Sequence, residues 1–435
     1  MSNENYRYDT QRIHAGYDSD NHFHAVNTPI YQTAAFDLGD IDRARRLWSG
    51  AEAGGIYTRV GNPTVTVLED RIKDLDGGSA AIGLASGMAA ITYTIFLLAE
   101  NGGNIIAASS LYGAAQEAFA NFYPKFGIKT KFVTNRNDVS EYESLIDADT
   151  RAIYLESISN PNAEIYDFEA IAQIAHKHHV PLVVDNTIAT SFLFKPFEHG
   201  ADIIVYSATK GLSGHGNTIA GLVVESGKFD YTRERFPHFH EKSYKIRDVD
   251  GNERTPVEAA PDAPVTTALR SFYLEFIGAS LSAFDAYLVL AGLSTISERL
   301  TKQVATTKKL VEYLESKPEV TWVRYPSARN SPYAELADKY FPAGAGAVFS
   351  FGFGGTREQF RQFISELKIF SYHVNIGDVR SLIVNSPETT HAELSPLNQK
   401  LADIPQELVR ISVGLEDVRD LIEDLESAFR AVFTK

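Results

Sequence analysis

Pro181-Leu182-Val183-Val184-Asp185-Asn186-Thr187 and Ala201-Asp202-Ile203-Ile204-Val205-Tyr206-Ser207-Ala208-Thr209-Lys210 are two apolar runs that each close on polar residues. Runs of this kind read as buried strands, and a parallel pairing puts Asp185 and Lys210 on one edge of a sheet. Around them, short β-branched runs alternate with longer helix-period segments. Strands are predicted at 80–84, 104–108, 130–133, 152–155, 182–184 and 203–206, with a helix over 63–75 and another opening at Ser86-Gly87-Met88-Ala89-Ala90. That alternation predicts an α/β chain with a largely parallel sheet, in which ligands collect beyond the carboxyl ends of the strands. Residues 1–60, aromatic and polar with turn signals such as Asn27-Thr28-Pro29, read as an extended arm. The charged, Pro- and Gly-containing stretch 241–264 reads as a surface insertion. Long helices are expected within 276–314, and Val418, Leu421, Ile422, Leu425 and Phe429 form a closing helical stripe.

With 435 residues, 44% of them apolar, the chain is long enough for two or three folded domains. It has no cysteine, which removes disulfides, thiolate metal sites and a thiol nucleophile and fits a cytoplasmic setting. Segment 1–11 has no apolar core, no apolar run approaches membrane length, and a net charge of -15 opposes phosphate backbones and anionic lipid. Neither nucleic acid nor membrane is therefore expected as a partner. His22 with His24, and His176 with His178 and His179, lack the carboxylate or cysteine spacing that completes a metal site, so no metal is expected.

A carboxylate ending a buried strand needs a cationic or hydrogen-bonding partner, and a protonated pyridine nitrogen would serve Asp185. A lysine that forms a Schiff base must lose its proton, which desolvation or a neighbouring cation permits. Ser207 and Thr209 would then offer hydroxyls to a phosphate. Taken singly, a capping aspartate and a surface lysine are the better readings; together the two strands favour chemistry. Ser86, Gly87 and Met88 lie where free N–H groups and the helix dipole favour a phosphate, although many such turns hold no ligand.

Further motifs make the chain resemble the Cys/Met-metabolism family of pyridoxal-phosphate-dependent enzymes almost from end to end. Tyr57-Thr58-Arg59-Val60-Gly61-Asn62-Pro63-Thr64 resembles the family's phosphate-binding arm, and Ser-Gly-Met at 86–88 its backbone phosphate cradle. Ser109-Ser110-Leu111-Tyr112-Gly113, Ser159-Asn160-Pro161, Asp185 and Ser207-Ala208-Thr209-Lys210 are similar to the segments that hold the ring and the Schiff-base lysine. Val409-Arg410-Ile411-Ser412 resembles the clamp for the substrate α-carboxylate, and Ser381 resembles a residue that orients substrate and lysine. The resemblance implies the pyridoxal-phosphate-dependent transferase fold (type I aminotransferase-like): a mostly parallel sheet with helices on both faces, an arm, and a smaller C-terminal α+β domain. It divides the chain into an arm at 1–62, a cofactor-binding domain at 63–280 and a C-terminal domain at 281–435. It also implies that pyridoxal 5'-phosphate is the cofactor and that Tyr57 and Arg59 reach the phosphate in the adjacent subunit. An obligate dimer sharing its active sites follows, with a tetramer as the expected assembly.

Glu156-Ser157-Ile158, Gly214-His215-Gly216-Asn217-Thr218 and Asn375-Ile376-Gly377-Asp378 look like the O-acetylhomoserine sulfhydrylase branch, whereas Lys245-Ile246-Arg247 departs from it. The implied reaction converts O-acetyl-L-homoserine and sulfide to L-homocysteine and acetate in methionine biosynthesis, with an O-acyl-homoserine and sulfide or a thiol as the class of small-molecule partners. Lys210 would move the protons, and Tyr112, through stacking and a phenol ionising near phosphate and arginine, would assist. A cystathionine γ-synthase or a methionine or cystathionine γ-lyase needs the same cofactor residues. A Ser-x-x-Lys acyl hydrolase over 207–210 is a remoter alternative, since Ser19-Asp20-Asn21 lies upstream and no Lys-Thr-Gly follows.

Overall fold

A computed structural model describes residues 6–136 and 138–433. The first five residues of the expected arm and the last two of the chain lie outside these. Seven strands form the larger sheet: β1 (Ala80–Leu84), β2 (Gly103–Ala108), β3 (Ile128–Val133), β4 (Thr150–Glu156), β5 (Leu182–Asp185), β6 (Ile203–Ser207) and β7 (Gly221–Glu225). Their order is β1-β7-β6-β5-β4-β2-β3. All neighbours are parallel except β7, which runs against both β1 and β6.

Alternate side chains of each strand enter different cores. Ile153, Leu155, Leu182, Val184, Ile204 and Tyr206 join Leu68, Ile72 and Ile171 from helices Pro63–Asp76 and Phe168–Lys177. Tyr154, Val183, Ile203 and Val205 pack instead with Ile91, Ile95 and Leu98 of helix Gly87–Leu98. A slip of one residue would exchange the two sets, so burial on both faces fixes the register. It also fixes which residues end each strand: Glu156, Asp185 and Ser207 share one edge.

The insertion contains a hairpin, β8 (Ser243–Arg247) with β9 (Glu253–Arg254). Asp248 closes its turn by accepting from the Asp250 and Asn252 N–H groups. A second, antiparallel sheet follows, β10 (Val320–Arg324), β11 (Val348–Phe353), β12 (Leu382–Asn385) and β13 (Leu408–Ser412), in the order β10-β11-β13-β12. The predicted C-terminal stripe falls on helix Val418–Phe433, where Leu421, Leu425 and Phe429 are buried. The helical stretch expected over 276–314 is two helices, Ala283–Leu293 and Ile296–Glu315.

Two readings needed correction. The arm is not simply extended: it holds helices Tyr8–His14 and Ile41–Trp48, and it docks on its own chain. Arg12 bonds Glu298 at 2.6 Å as well as the Ser294 carbonyl, and the Arg71 Nε–H reaches the Ala15 carbonyl. Strand β7, absent from the predicted set, is the wedge that ties β1 to β6. Its first residue, Gly221, pairs with both Leu84 and Ser207. A Cβ there would stand 2.0 Å from the Ser86 carbonyl oxygen. Substituting Gly221→Ala is expected to destabilise the protein by about 3 kcal/mol, because neither backbone can retreat without breaking the ladder. The midpoint of urea unfolding checks this.

Candidate active site

The strand ends open into a cavity of about 250 Å³ lined by Ser86, Gly87, Met88, Tyr112, Glu156, Asn160, Asp185, Ser207, Thr209, Lys210 and Arg410, among others. Ten of the predicted site residues therefore meet in one place although they span more than 300 positions. Tyr57, Arg59 and Ser381 do not line it. Tyr57 is half exposed, with the Arg59 guanidinium 5.5 Å from its ring centroid and Glu275 3.7 Å from Arg59. Ser381 is buried, donates to Glu416 and accepts from the Gly414 N–H, both at 2.8 Å. Its hydroxyl braces the turn after β13 and makes no bond to Lys210.

Ser86 caps helix Gly87–Leu98, its hydroxyl oxygen accepting from the Ala89 N–H and its carbonyl from the Ala90 N–H. The Ala90 bond is the first of the helix itself, and the Ala89 bond uses one of the N–H groups that a helix start leaves without helical partners. The Gly87 and Met88 N–H groups have no partner among the described residues, and both residues line the cavity wall. A Cβ on Gly87 would stand 2.6 Å from the Ser207 Cβ, so glycine is what lets the helix start press against the end of β6. Thr209 keeps the facing loop closed by donating to the Ala220 carbonyl and accepting from its N–H.

Asp185 accepts from the Tyr154 hydroxyl at 3.1 Å and the Thr187 N–H at 3.0 Å. The Thr187 hydroxyl in turn accepts from the Ser207 N–H, which links the ends of β5 and β6. Glu156 pairs with Asp185 across β4 and β5, and its carboxylate accepts from the Tyr112 and Asn160 N–H groups. Burial raises both carboxyls, and for Glu156 the neighbouring Asp185 charge adds to the effect.

Opposite stand two cations. Lys210 Nζ donates to Asn375 Oδ1 at 2.7 Å. Burial, then Arg410, lowers Lys210 to about 8 against the pull of Asp378. Arg410, 1% exposed, donates only to neutral oxygens: Asn160 Oδ1 and the Asn375 carbonyl, each at 3.0 Å. Its Nε–H has no partner, no acidic group lies within ion-pair distance among the described residues, and burial lowers the guanidinium to about 10. Burial also raises the Tyr112 phenol while Arg410 pulls the other way, so the chain alone does not favour the expected ionisation.

The match to the family model described as Cys/Met metabolism PLP-dependent enzyme runs over residues 9–430. This chain belongs to that family. A sulfhydrylase of Fusarium oxysporum f. sp. lycopersici is 42% identical to it over 98% of each chain. A homocysteine synthase of Schizosaccharomyces pombe is 38% identical over 98% of this chain and 99% of its own. Among solved structures, a protein assigned as an O-acetylhomoserine (thiol)-lyase from Campylobacter jejuni, carrying N'-pyridoxyl-lysine-5'-monophosphate, superposes with a TM-score of 0.91 at 34% identity. That superposition covers 98% of this chain and 100% of that one. The fold is thus that of the pyridoxal-phosphate-dependent enzymes, and pyridoxal 5'-phosphate is the cofactor.

The donor set fits such a group. Two unused N–H groups and the Ser207 hydroxyl suit a phosphate, a buried carboxylate suits a ring cation, and Lys210 has the lowered basicity that capture of an aldehyde requires.

Sequence reasoning missed three participants. Asn375 and Glu156 stood inside quoted motifs without a role, and a polar residue ending an apolar strand was the available signal for Glu156. His391 gave no signal. It is fully buried behind the Tyr112 turn, where Nε2 faces the Leu111 carbonyl at 3.3 Å and Nδ1 the Thr390 hydroxyl at 2.9 Å. The pattern assigns a neutral imidazole that donates from Nε2 and accepts at Nδ1. Burial accordingly lowers it to about 4.

A histidine depressed on folding contributes stability above its unfolded pKa, and that stability is lost as pH falls towards the folded value. Between about pH 7.5 and pH 5 this one residue should cost about 2 kcal/mol. His391→Asn should remove that increment from the pH dependence of denaturant-induced unfolding.

Proposed function

We propose that this chain converts O-acetyl-L-homoserine and sulfide into L-homocysteine and acetate. The observation that carries the amino-acid half of this reading is the buried Arg410 charge, which has no acidic partner among the described residues and sits beside a lysine of lowered basicity. A substrate α-carboxylate would complete it with the two parallel bonds that a guanidinium offers. The sulfide half rests on relatives that are a sulfhydrylase and a homocysteine synthase. Among the described residues the cavity wall holds no cation besides Lys210 and Arg410, which supports an uncharged acetyl over a succinyl leaving group.

Bound pyridoxal 5'-phosphate would supply the electron sink that lets protons leave the carbons next to the amino group. Its phosphate would lie on the Gly87 and Met88 N–H groups, Ser86, Ser207 and Thr209, with Asp185 at the ring nitrogen, Tyr112 on the ring face and Asn160 at the ring edge. Lys210 Nζ would take the substrate's Cα proton and return it, with Asn375 holding the amine aimed inward. Ile91, Ile158, Ile188 and Ile376 line the cavity and would exclude the water that competes with sulfide at Cγ. Ser381 would act indirectly, by bracing the turn that follows Arg410. Tyr57 and Arg59, half exposed in one protomer, would complete a neighbour's phosphate site in a dimer that pairs further into a tetramer. No helix among the described residues is long and apolar enough to cross a membrane, and the absence of cysteine supports a place in the cytoplasm.

Purified protein given O-acetyl-L-homoserine should release homocysteine and acetate only when sulfide is present. Release of 2-oxobutanoate without sulfide, with little homocysteine on adding it, would replace this reading with a lyase. Replacing Arg410 with Met should raise KM for the amino acid by about 100-fold or more. Steady-state kinetics with matched visible absorbance of bound cofactor checks this.

A further inference from the structure

Glu156 lines the cavity, 5% exposed, and every hydrogen bond it makes among the described residues is to backbone. One oxygen accepts from Tyr112 N–H at 2.6 Å and the other from Asn160 N–H at 2.9 Å. Those residues belong to different loops, one beyond β2 and one beyond β4. Tyr112 precedes the short helix Gly113–Glu117 with no side-chain cap of its own, so the turn that aims its ring relies on outside anchors. Asn160 passes the constraint on, because its side-chain oxygen holds the Arg410 guanidinium. A single carboxylate thereby couples the aromatic wall to the carboxylate clamp.

Stability gives no reason for a charge here. Glu156 lies beside Asp185, also buried, and two carboxylates removed from water at neighbouring strand ends repel. A neutral side chain of the same size would relieve that repulsion. We propose that Glu156 is a positioning residue: by holding the Tyr112 and Asn160 turns at once, it fixes the distance between ring face and guanidinium that a single amino-acid substrate must span. The inference rests on the proposed amino-acid reaction but does not depend on sulfide as acceptor.

Glu156→Gln and Glu156→Asp in the cofactor-loaded enzyme separate this role from its rivals. Glutamine keeps the length but sets an amide N–H against one of the two backbone donors, so one turn loses its anchor. Aspartate keeps the charge but is one methylene too short to hold both turns. Both should lower kcat by about 10- to 100-fold and raise by several-fold the O-acetyl-L-homoserine concentration giving half the change in visible absorbance. Cofactor content should stay at the wild-type level, and the glutamine variant should unfold at the same or a higher urea concentration. Loss of activity in step with cofactor content and stability, failure to fold included, overturns the proposal in favour of a merely structural carboxylate. Wild-type behaviour of the aspartate variant overturns it in favour of charge alone. Should the wild type bind the amino acid but make no homocysteine, the function falls, and the absorbance titration still decides the role of Glu156.

Discussion

A guanidinium buried between two sheets, with no acid to neutralise it among the described residues, is the constraint on which the site depends. Arg410 projects from the antiparallel C-terminal sheet, yet one of its bonds goes to Asn160, in a loop of the parallel sheet, and another to the Asn375 carbonyl. Neutral oxygens stabilise a desolvated cation only in part, so the pair of sheets is assembled around an unmet demand for negative charge. The same charge lowers the basicity of Lys210 and opposes the effect of burial on Tyr112.

Across the cavity the balance is reversed. Glu156 and Asp185 end adjacent strands and burial raises both, while Lys210 and Arg410 face them. A zwitterionic ligand carrying a carboxylate at one end and a cationic centre at the other offsets both halves at once. Helix Gly87–Leu98 adds a third pole, the Gly87 and Met88 N–H groups at its start.

Much of the larger sheet could be read in advance because its strands are buried on both faces and so appear as compact apolar runs. Strand β7 has the same composition, but its antiparallel return over 221–225 follows β6 without an intervening helix, which breaks the alternation that marked the others. Asp185 and Lys210 were legible as polar ends of apolar strands. Asn375 and His391 were not, because irregular backbone places them and only the packed C-terminal part brings them near. The helices of the arm escaped notice for a related reason: Tyr8–His14 is seven residues long, and contacts such as Arg12 with Glu298 hold it in place rather than its own propensity.

The wedge formed by β7 also sets an order of events. The N–H cradle at Gly87 opens the helix that follows β1, and the Ser207 hydroxyl ends β6; β1 and β6 do not pair, and β7, inserted between them, ties their ends together. During synthesis the helix can form early, but the phosphate-sized gap does not exist until residue 225 has left the ribosome and the sheet has closed around it. The cofactor is therefore a ligand of the finished sheet, and its capture stabilises only chains whose most distant strand pairing is already made.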